Sequence, residues 1–397
     1  MTLMWTRDRT VRRRLVLLGA VLLAGCVSTS PTPQQPSVGS TASPAGSPAA
    51  AGSPTPAASP TIAPTAAPSE PTGWQLLPVS PAIGAADLAS VATFRGGLVA
   101  VGNTTTGDPR GAIACSTDGR TWQPCAGAPS MEGLTLAGMG VGDSGLVVVG
   151  ASDRGAVSLA TPDGVSWSRN LLPNTKGLTA QSVAWHGGRF VAIGVDYQTE
   201  ASPSIAWMSL DGRTWTRLPD IEGPAQATLT GIVALPNGFM VAGSFRGHVA
   251  TWVSTDGASW TRSELPGPPT GDPGRLRLVE GQFFLPVGQD LWSSREGRHW
   301  LRTAIPGFGN GVFAVGAIPG GFIAVGRSSE GEQPGVVAIA DAGLTFWTLQ
   351  PADPAFDGAL ALDVILSPDG RYVVGVGNSI GGSSVLIHAD PAGLALP

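Results

Sequence analysis

The chain has 397 residues, 56 of them Gly and 35 Pro, against only 13% charged residues. Gly supplies backbone with positive φ and Pro presets φ for turns, so this composition describes many short elements and excludes an architecture of long helices. Basic residues number 23 and acidic ones 28, a net charge of −5, with Lys176 the single lysine and no basic run; that excludes a nucleic-acid partner, because phosphate binding needs clustered positive charge.

In chain order, the first element is an export signal. Arg7, Arg9 and Arg12 to Arg14 form a basic head, and LVLLGAVLLAG at 15–25 is an apolar core too short to span a bilayer. The core ends in Leu23-Ala24-Gly25-Cys26, which resembles the bacterial lipobox. The resemblance implies a diacylglycerol thioether on Cys26 and cleavage before it, so that residues 1–25 are a signal peptide. The mature chain is then exported and anchored to the bacterial cell membrane, facing away from the cytoplasm. An ordinary signal peptide with an incidental Cys is the alternative, and Arg12-Arg13 faintly resembles a twin-arginine export motif. Removing residues 1–25 takes away five Arg and Asp8, leaving 18 basic and 27 acidic residues and a net charge near −9.

Residues 26–72 are almost entirely Ser, Thr, Pro, Ala, Gly and Gln. A segment without large apolar side chains cannot offset its ordering entropy, so a disordered, fairly extended tether is expected. A glycosylated stalk has the same composition.

From residue 73 onward the chain repeats. Trp74, Trp122, Trp167, Trp215, Trp260, Trp300 and Trp347 recur at a period of about 45 residues, which points to a propeller blade or similar unit. Seven apolar runs ending in Gly accompany them: GLVAVG at 97–102, GLVVVG at 145–150, RFVAIG at 189–194, GFMVAG at 238–243, FFLPVG at 283–288, GFIAVG at 321–326 and RYVVGVG at 371–377. Each reads as a buried strand. A strand precedes each run through a Gly-containing turn, a third follows, and a fourth carries the Trp, making an antiparallel blade of four strands. GWQLLP at 73–78 is a fourth strand without predecessors, and the C-terminal repeat holds three strands without a fourth. Pairing them closes a seven-bladed, all-β propeller over 73–397 and leaves no open sheet edge.

The Trp-bearing strand follows a repeated turn, as in STDGRTW at 116–122, SLDGRTW at 209–215 and STDGASW at 254–260. It resembles the Asp box of the bacterial neuraminidase repeat, with one residue fewer between Asp and Gly in most copies; ADAGLTFW at 340–347 keeps the longer spacing. Asp118, Asp163, Asp211, Asp256 and Asp341 hold the acidic position, and Glu296 replaces it in the fifth blade. A carboxylate there can accept backbone N–H bonds while the Ser or Thr hydroxyl closes the other side. Repetition around a rim argues for bracing: catalysis needs one set of unlike groups at one point.

Function is therefore sought in the loops from second to third strand and from blade to blade, because variable loops on a rigid scaffold build binding sites. The candidate ligand-facing residues are Arg110, Asp196, Tyr197, Glu200, Arg246, His248 and Arg327. The resemblance to sialidases would imply three Arg around a carboxylate, a Tyr–Glu nucleophile pair and an acidic Asp. The chain has two Tyr, and Tyr372 starts a second strand on the opposite face, which leaves Tyr197 with Glu200 as the pair; the usual Arg-Ile-Pro motif is absent. The four His fall in different blades without ligand spacing, so no metal and no cofactor are expected. Cys115 and Cys125 flank the first turn, and a disulfide or two free thiols are both compatible with an exported hairpin. The repeats are also similar to those of photosystem assembly factors. The expectation is a monomeric, lipid-anchored, non-catalytic binding or scaffold propeller for a protein or glycan ligand, touching the membrane through Cys26, with a sialidase-like hydrolase or an assembly factor as the alternatives.

Overall fold

The first strands of seven sheets, Ala86–Phe94, Leu134–Gly142, Leu178–His186, Ala227–Leu235, Arg277–Val279, Val312–Ile318 and Ala359–Leu366, touch one another in succession, and the last returns to the first. This computed structural model describes residues 73–394 except 109, 197–203, 222–226, 268–272, 310, 329–334 and 380–381. Each first strand opens an antiparallel sheet of four, so the chain is a seven-bladed β-propeller, numbered here as blades 1 to 7 in the order of those strands. The signal, Cys26 and the tether lie outside the described residues.

Blade 7 is completed from the other end of the chain. Trp74–Leu77 pairs antiparallel with Gly382–His388, setting Trp74 opposite His388 and Leu77 opposite Val385. The Trp74 ring meets Phe356 edge-on at 5.3 Å and His388 at 5.5 Å. The complementary deficit at the two ends of the repeat region therefore has its expected physical meaning, a shared sheet in which the N-terminal segment supplies the missing fourth strand and covers the edge of Gly382–His388.

The core lies between blades. In every second strand the apolar run is buried on both faces, as in Leu98 to Val101, Leu146 to Val149 and Phe190 to Ile193, which is why these segments do not alternate. The glycine that ends the run has a local cause. Six of the seven first strands shift register by one residue, for example between Leu88 and Ser90 and between Leu136 and Gly138. Opposite that bulge the backbones crowd: a Cβ on Gly102 would lie 1.8 Å from the Asp87 carbonyl oxygen, and one on Gly150 1.9 Å from that of Thr135.

Blade 5 departs from the pattern. Its second strand contains Pro286, which has no N–H to return to the first strand. The Gly274 amide still donates to the Pro286 carbonyl at 2.7 Å, and the Gly274 carbonyl instead accepts the Thr230 hydroxyl of blade 4 at 2.8 Å. The regular ladder is cut to Arg277–Val279, and Arg275 precedes it.

Candidate functional site

The Asp–Gly turns show what the repeated motif does. In blade 1 the Gly119 N–H donates to Ser116 Oγ at 2.8 Å, and Asp118 Oδ1 accepts the N–H of Arg120 at 2.8 Å and of Thr121 at 2.7 Å. Trp122 Nε1 donates back to the Gly119 carbonyl at 2.9 Å. Asp163, Asp211 and Asp256 each accept the corresponding two amides. The longer turn bonds Thr345 N–H to Asp341 at 3.0 Å, and there Leu344 takes the left-handed backbone. In blade 5 the Ser294 hydroxyl still accepts the Gly297 amide at 2.8 Å, while Glu296 turns outward toward His299. Each Trp packs on the preceding blade: Trp215 joins Val147 and Ala160 of blade 2, and Trp347 joins Phe284 and Leu291 of blade 5. Burial alone would raise the carboxyls of Asp118 and Asp211, yet the amides hold both below the ordinary range. On the more exposed Asp256 the amides of Ser259 and Ala258 bring the pKa to about 2. These carboxylates are occupied as braces.

One turn of this kind was not expected. Ser367, Asp369 and Gly370 form it between the first and second strands of blade 7, where Ser367 Oγ donates to Asp369 Oδ1 at 2.6 Å. Tyr372 follows, 4% exposed, with Arg120 and Arg371 over its ring at 5.6 and 5.7 Å. It belongs to the turn face, opposite the loops, as its sequence position indicates.

Among the described residues the loop-face candidates do not converge. Arg110 lines a depression of about 430 Å³ between blades 1 and 2, together with Asp108, Thr104, Met131 and Glu132. Arg246 sits in the two-residue turn between Gly238–Phe245 and His248–Ser254, so what read as a variable loop is a tight hairpin. Its φ is 50° and its guanidinium lies 5.0 Å from the Phe245 ring, whose centroid Arg262 also approaches at 3.8 Å. His248 opens the third strand of the same blade, exposed. Asp196 ends the second strand of blade 3 opposite Leu178, and Arg327 ends that of blade 6 opposite Gly335. Tyr197 and Glu200 lie outside the described residues. Among the described residues no three His, Cys, Asp or Glu side chains come together in a set able to hold a metal ion. Cys115 and Cys125 are joined by a disulfide in blade 1.

The central channel holds the charges that the repeat pattern hid. Asp363, on the first strand of blade 7, is fully buried. Its Oδ2 accepts the Val91 amide of blade 1 at 2.9 Å and faces Arg277 Nη2 of blade 5 at 2.7 Å, while Oδ1 accepts the Val364 amide at 2.9 Å. Ser182 plays the same part toward the Ile232 amide of blade 4, at 3.4 Å. Both side chains satisfy an N–H on the free inner edge of the next blade, a group that otherwise has no ladder partner. Arg275 reaches across the channel to the Ala137 carbonyl of blade 2, at 2.5 Å. It is enclosed by the ring while the lumen keeps part of it accessible. Burial brings its pKa down to about 10, with Arg277 adding to the effect and Asp363 opposing it, so the guanidinium stays charged near neutrality.

No protein-family model and no curated protein matches this sequence. Solved structures do. The structure of YCF48 bound to D1 peptide is 15% identical, with a TM-score of 0.55 over 83% of this chain and 98% of that one. The WD40 propeller domain of Doa1 is 13% identical, with a TM-score of 0.52 over 79% and 97%. The extracellular domain of a hybrid two-component system from B. thetaiotaomicron, BT4673, is 10% identical at a TM-score of 0.54, and the match spans 39% of that longer chain. At such identities the likeness is one of fold, and the fold it shows is the propeller.

Proposed function

We propose that this protein is an exported, lipid-anchored propeller that binds a protein or glycan ligand without turning it over. The observation that carries the reading is the dispersal of the loop-face groups among the described residues. Arg110 lies in the depression between blades 1 and 2, Arg246 and His248 flank a hairpin of blade 4, and Arg327 closes a strand of blade 6. Such an arrangement offers an extended, rigid surface rather than one reacting point. Similarity to propellers that include YCF48 bound to a D1 peptide supports a polypeptide as the ligand. The Leu23-Ala24-Gly25-Cys26 segment and the Pro- and Ser-rich stretch after it support attachment through Cys26, with the propeller held off the membrane. The repeated Asp–Gly turns support an Asp-box type of blade.

Expression of the full chain in a bacterial host, with fractionation and photocrosslinking from position 132 in the same depression, tests this. Membrane retention lost on Cys26→Ala and a crosslinked envelope component dependent on Arg110 are expected. Turnover of a sialoside or another glycoside, abolished by Tyr197→Phe, would replace the reading with a hydrolase.

A further inference from the structure

On the face that carries the Asp–Gly turns, the channel ends in a cavity of about 350 Å³. Its walls come from the first strands of blades 1, 5, 6 and 7 and are mixed, with polar groups beside the partly exposed apolar side chains of Leu278, Val279, Ala317, Ile365 and Leu366. Arg277 is the one cationic lining residue, and Glu280 lies at the exposed rim in a left-handed turn. Apolar side chains beside one aimed cation suit a small amphipathic ligand, and the volume lies at the lower end of the range of roughly 300–1,000 Å³ for ligand sites.

The charges inside do not balance. Asp363 already serves Arg277 and two backbone amides. Arg275 carries a second guanidinium in the same channel and is bonded to a neutral carbonyl. Among the described residues two cations of the channel thus share one carboxylate, that of Asp363. Arg277 Nε has no acceptor, and about a fifth of the side chain remains open to the cavity. A charge held away from water without a full counter-charge is costly, and a bound anion relieves it.

We propose that this end of the channel is a binding site for a small organic monocarboxylate with an apolar body, the carboxylate on Arg277 and the body against Val279, Ile365 and Leu366. A guanidinium fork matches the planar carboxylate. A strongly hydrated dianion such as phosphate would lose water against Val279, Ile365 and Leu366 without an apolar body to place there. The site lies on the face opposite the loops, so it neither needs nor follows from the loop-face reading.

Calorimetric titration of the full chain with N-acetyl-leucine, against N-acetyl-leucinamide as the neutral twin, is the test. The acid is expected to bind at about 1 mM or tighter, with the amide at least about tenfold weaker, the loss of one charge-assisted contact. Arg277→Gln should abolish the preference. Because that variant also strips Asp363 of its partner, Ala317→Trp, which fills the cavity and leaves the ion pair in place, is the second probe and should abolish binding of the acid. A peptide ending in a free leucine carboxylate, bound more tightly than the acid, assigns the site to a chain terminus; bound more weakly, it assigns it to a free acid. Equal binding of acid and amide, no binding of the acid, or binding undiminished in Ala317→Trp overturns the proposal.

Discussion

The carboxylate of Asp353 accepts the backbone N–H of Trp74 at 3.1 Å across 279 residues of sequence, and its other oxygen caps the 3₁₀ turn Pro354–Phe356 through the Ala355 amide at 2.8 Å. One side chain therefore fixes both the entry of the closing strand and the segment on which Trp74 stacks. Asp353→Ala should lower stability by about 1–2 kcal/mol, the cost of a lost cap plus an orphaned amide. Deleting residues 73–78 should do more: it exposes the edge of Gly382–His388 along its length. The expected result is a broadened thermal transition and concentration-dependent association by light scattering; a cooperative, monomeric product would show that the ring does not depend on this closure.

The Asp–Gly turns make stability depend on acid. The sign follows from the direction of the shifts. Asp118, Asp211 and Asp256 have folded pKa values below the unfolded value of about 3.9. Their contribution is then fully present above that value and is lost as pH falls through the folded ones, down to about 2 for Asp256. Thermal melting between pH 5 and 2 should show a falling midpoint over this window, and a chain with Asp118, Asp211 and Asp256 all changed to Asn should begin lower and fall less steeply.

Gly212 sits at φ +72°, and a Cβ there would come within 2.3 Å of Val147 Cγ2 on the preceding blade. Beside it, Trp215 Nε1 donates to Ser158 Oγ at 2.9 Å and to the Gly212 carbonyl at 3.0 Å. The turn is thus clamped to the neighbouring blade by packing and by polar contact. Gly212→Ala should cost about 1–3 kcal/mol as strain at a left-handed position, and Trp215→Ala about 3–5 kcal/mol as a cavity between blades 2 and 3. Denaturant unfolding measures both, and a smaller loss for Trp215→Ala than for Gly212→Ala would contradict the packing account.

The blade count and ring closure were legible because each rests on a local, repeated signal. The buried run ending in a crowding glycine, as at Gly102, and the turn that needs Asp118, Gly119 and Trp122 together recur wherever the same strands are built. What escaped the sequence was what the repeat does not repeat. Asp363 interrupts ALALDVIL and Arg275 and Arg277 interrupt GRLRLV, charges in or just before an apolar first strand, and that interruption was the available signal. Their partners come from other blades, so no spacing revealed the cluster. The loop at Arg246 was misread for a different reason: SFRGH has the polarity of a long loop, but Arg246 and Gly247 both take positive φ and close a two-residue turn.

The disulfide between Cys115 and Cys125 spans ten residues and encloses the first Asp–Gly turn. Restricting a loop of that length in the unfolded chain contributes about 2–3 kcal/mol. Cys115→Ser with Cys125→Ser, or reduction of the native chain, should lower the midpoint of unfolding while leaving the circular dichroism spectrum of the folded state unchanged. An unaltered midpoint after verified reduction would place the constraint in the packing of Cys125, which is buried with Leu134 and Leu136.

Asp363 is the last and sharpest case, because its removal and its replacement in a pair should differ in outcome. Asp363→Ala leaves two guanidiniums in the channel and the Val91 amide without an acceptor, and breaking a buried pair from one side costs about 3–5 kcal/mol. Arg277→Met in the same chain removes the cation that Asp363 neutralised, so the double variant should recover part of the loss, a coupling that a double-mutant cycle isolates. Arg275 remains charged in both. If the channel charge is what matters, Arg275→Met should restore more stability in the Asp363→Ala background than it does in the parent chain; equal effects in the two backgrounds would mean that Arg275 acts through its bond to Ala137 alone.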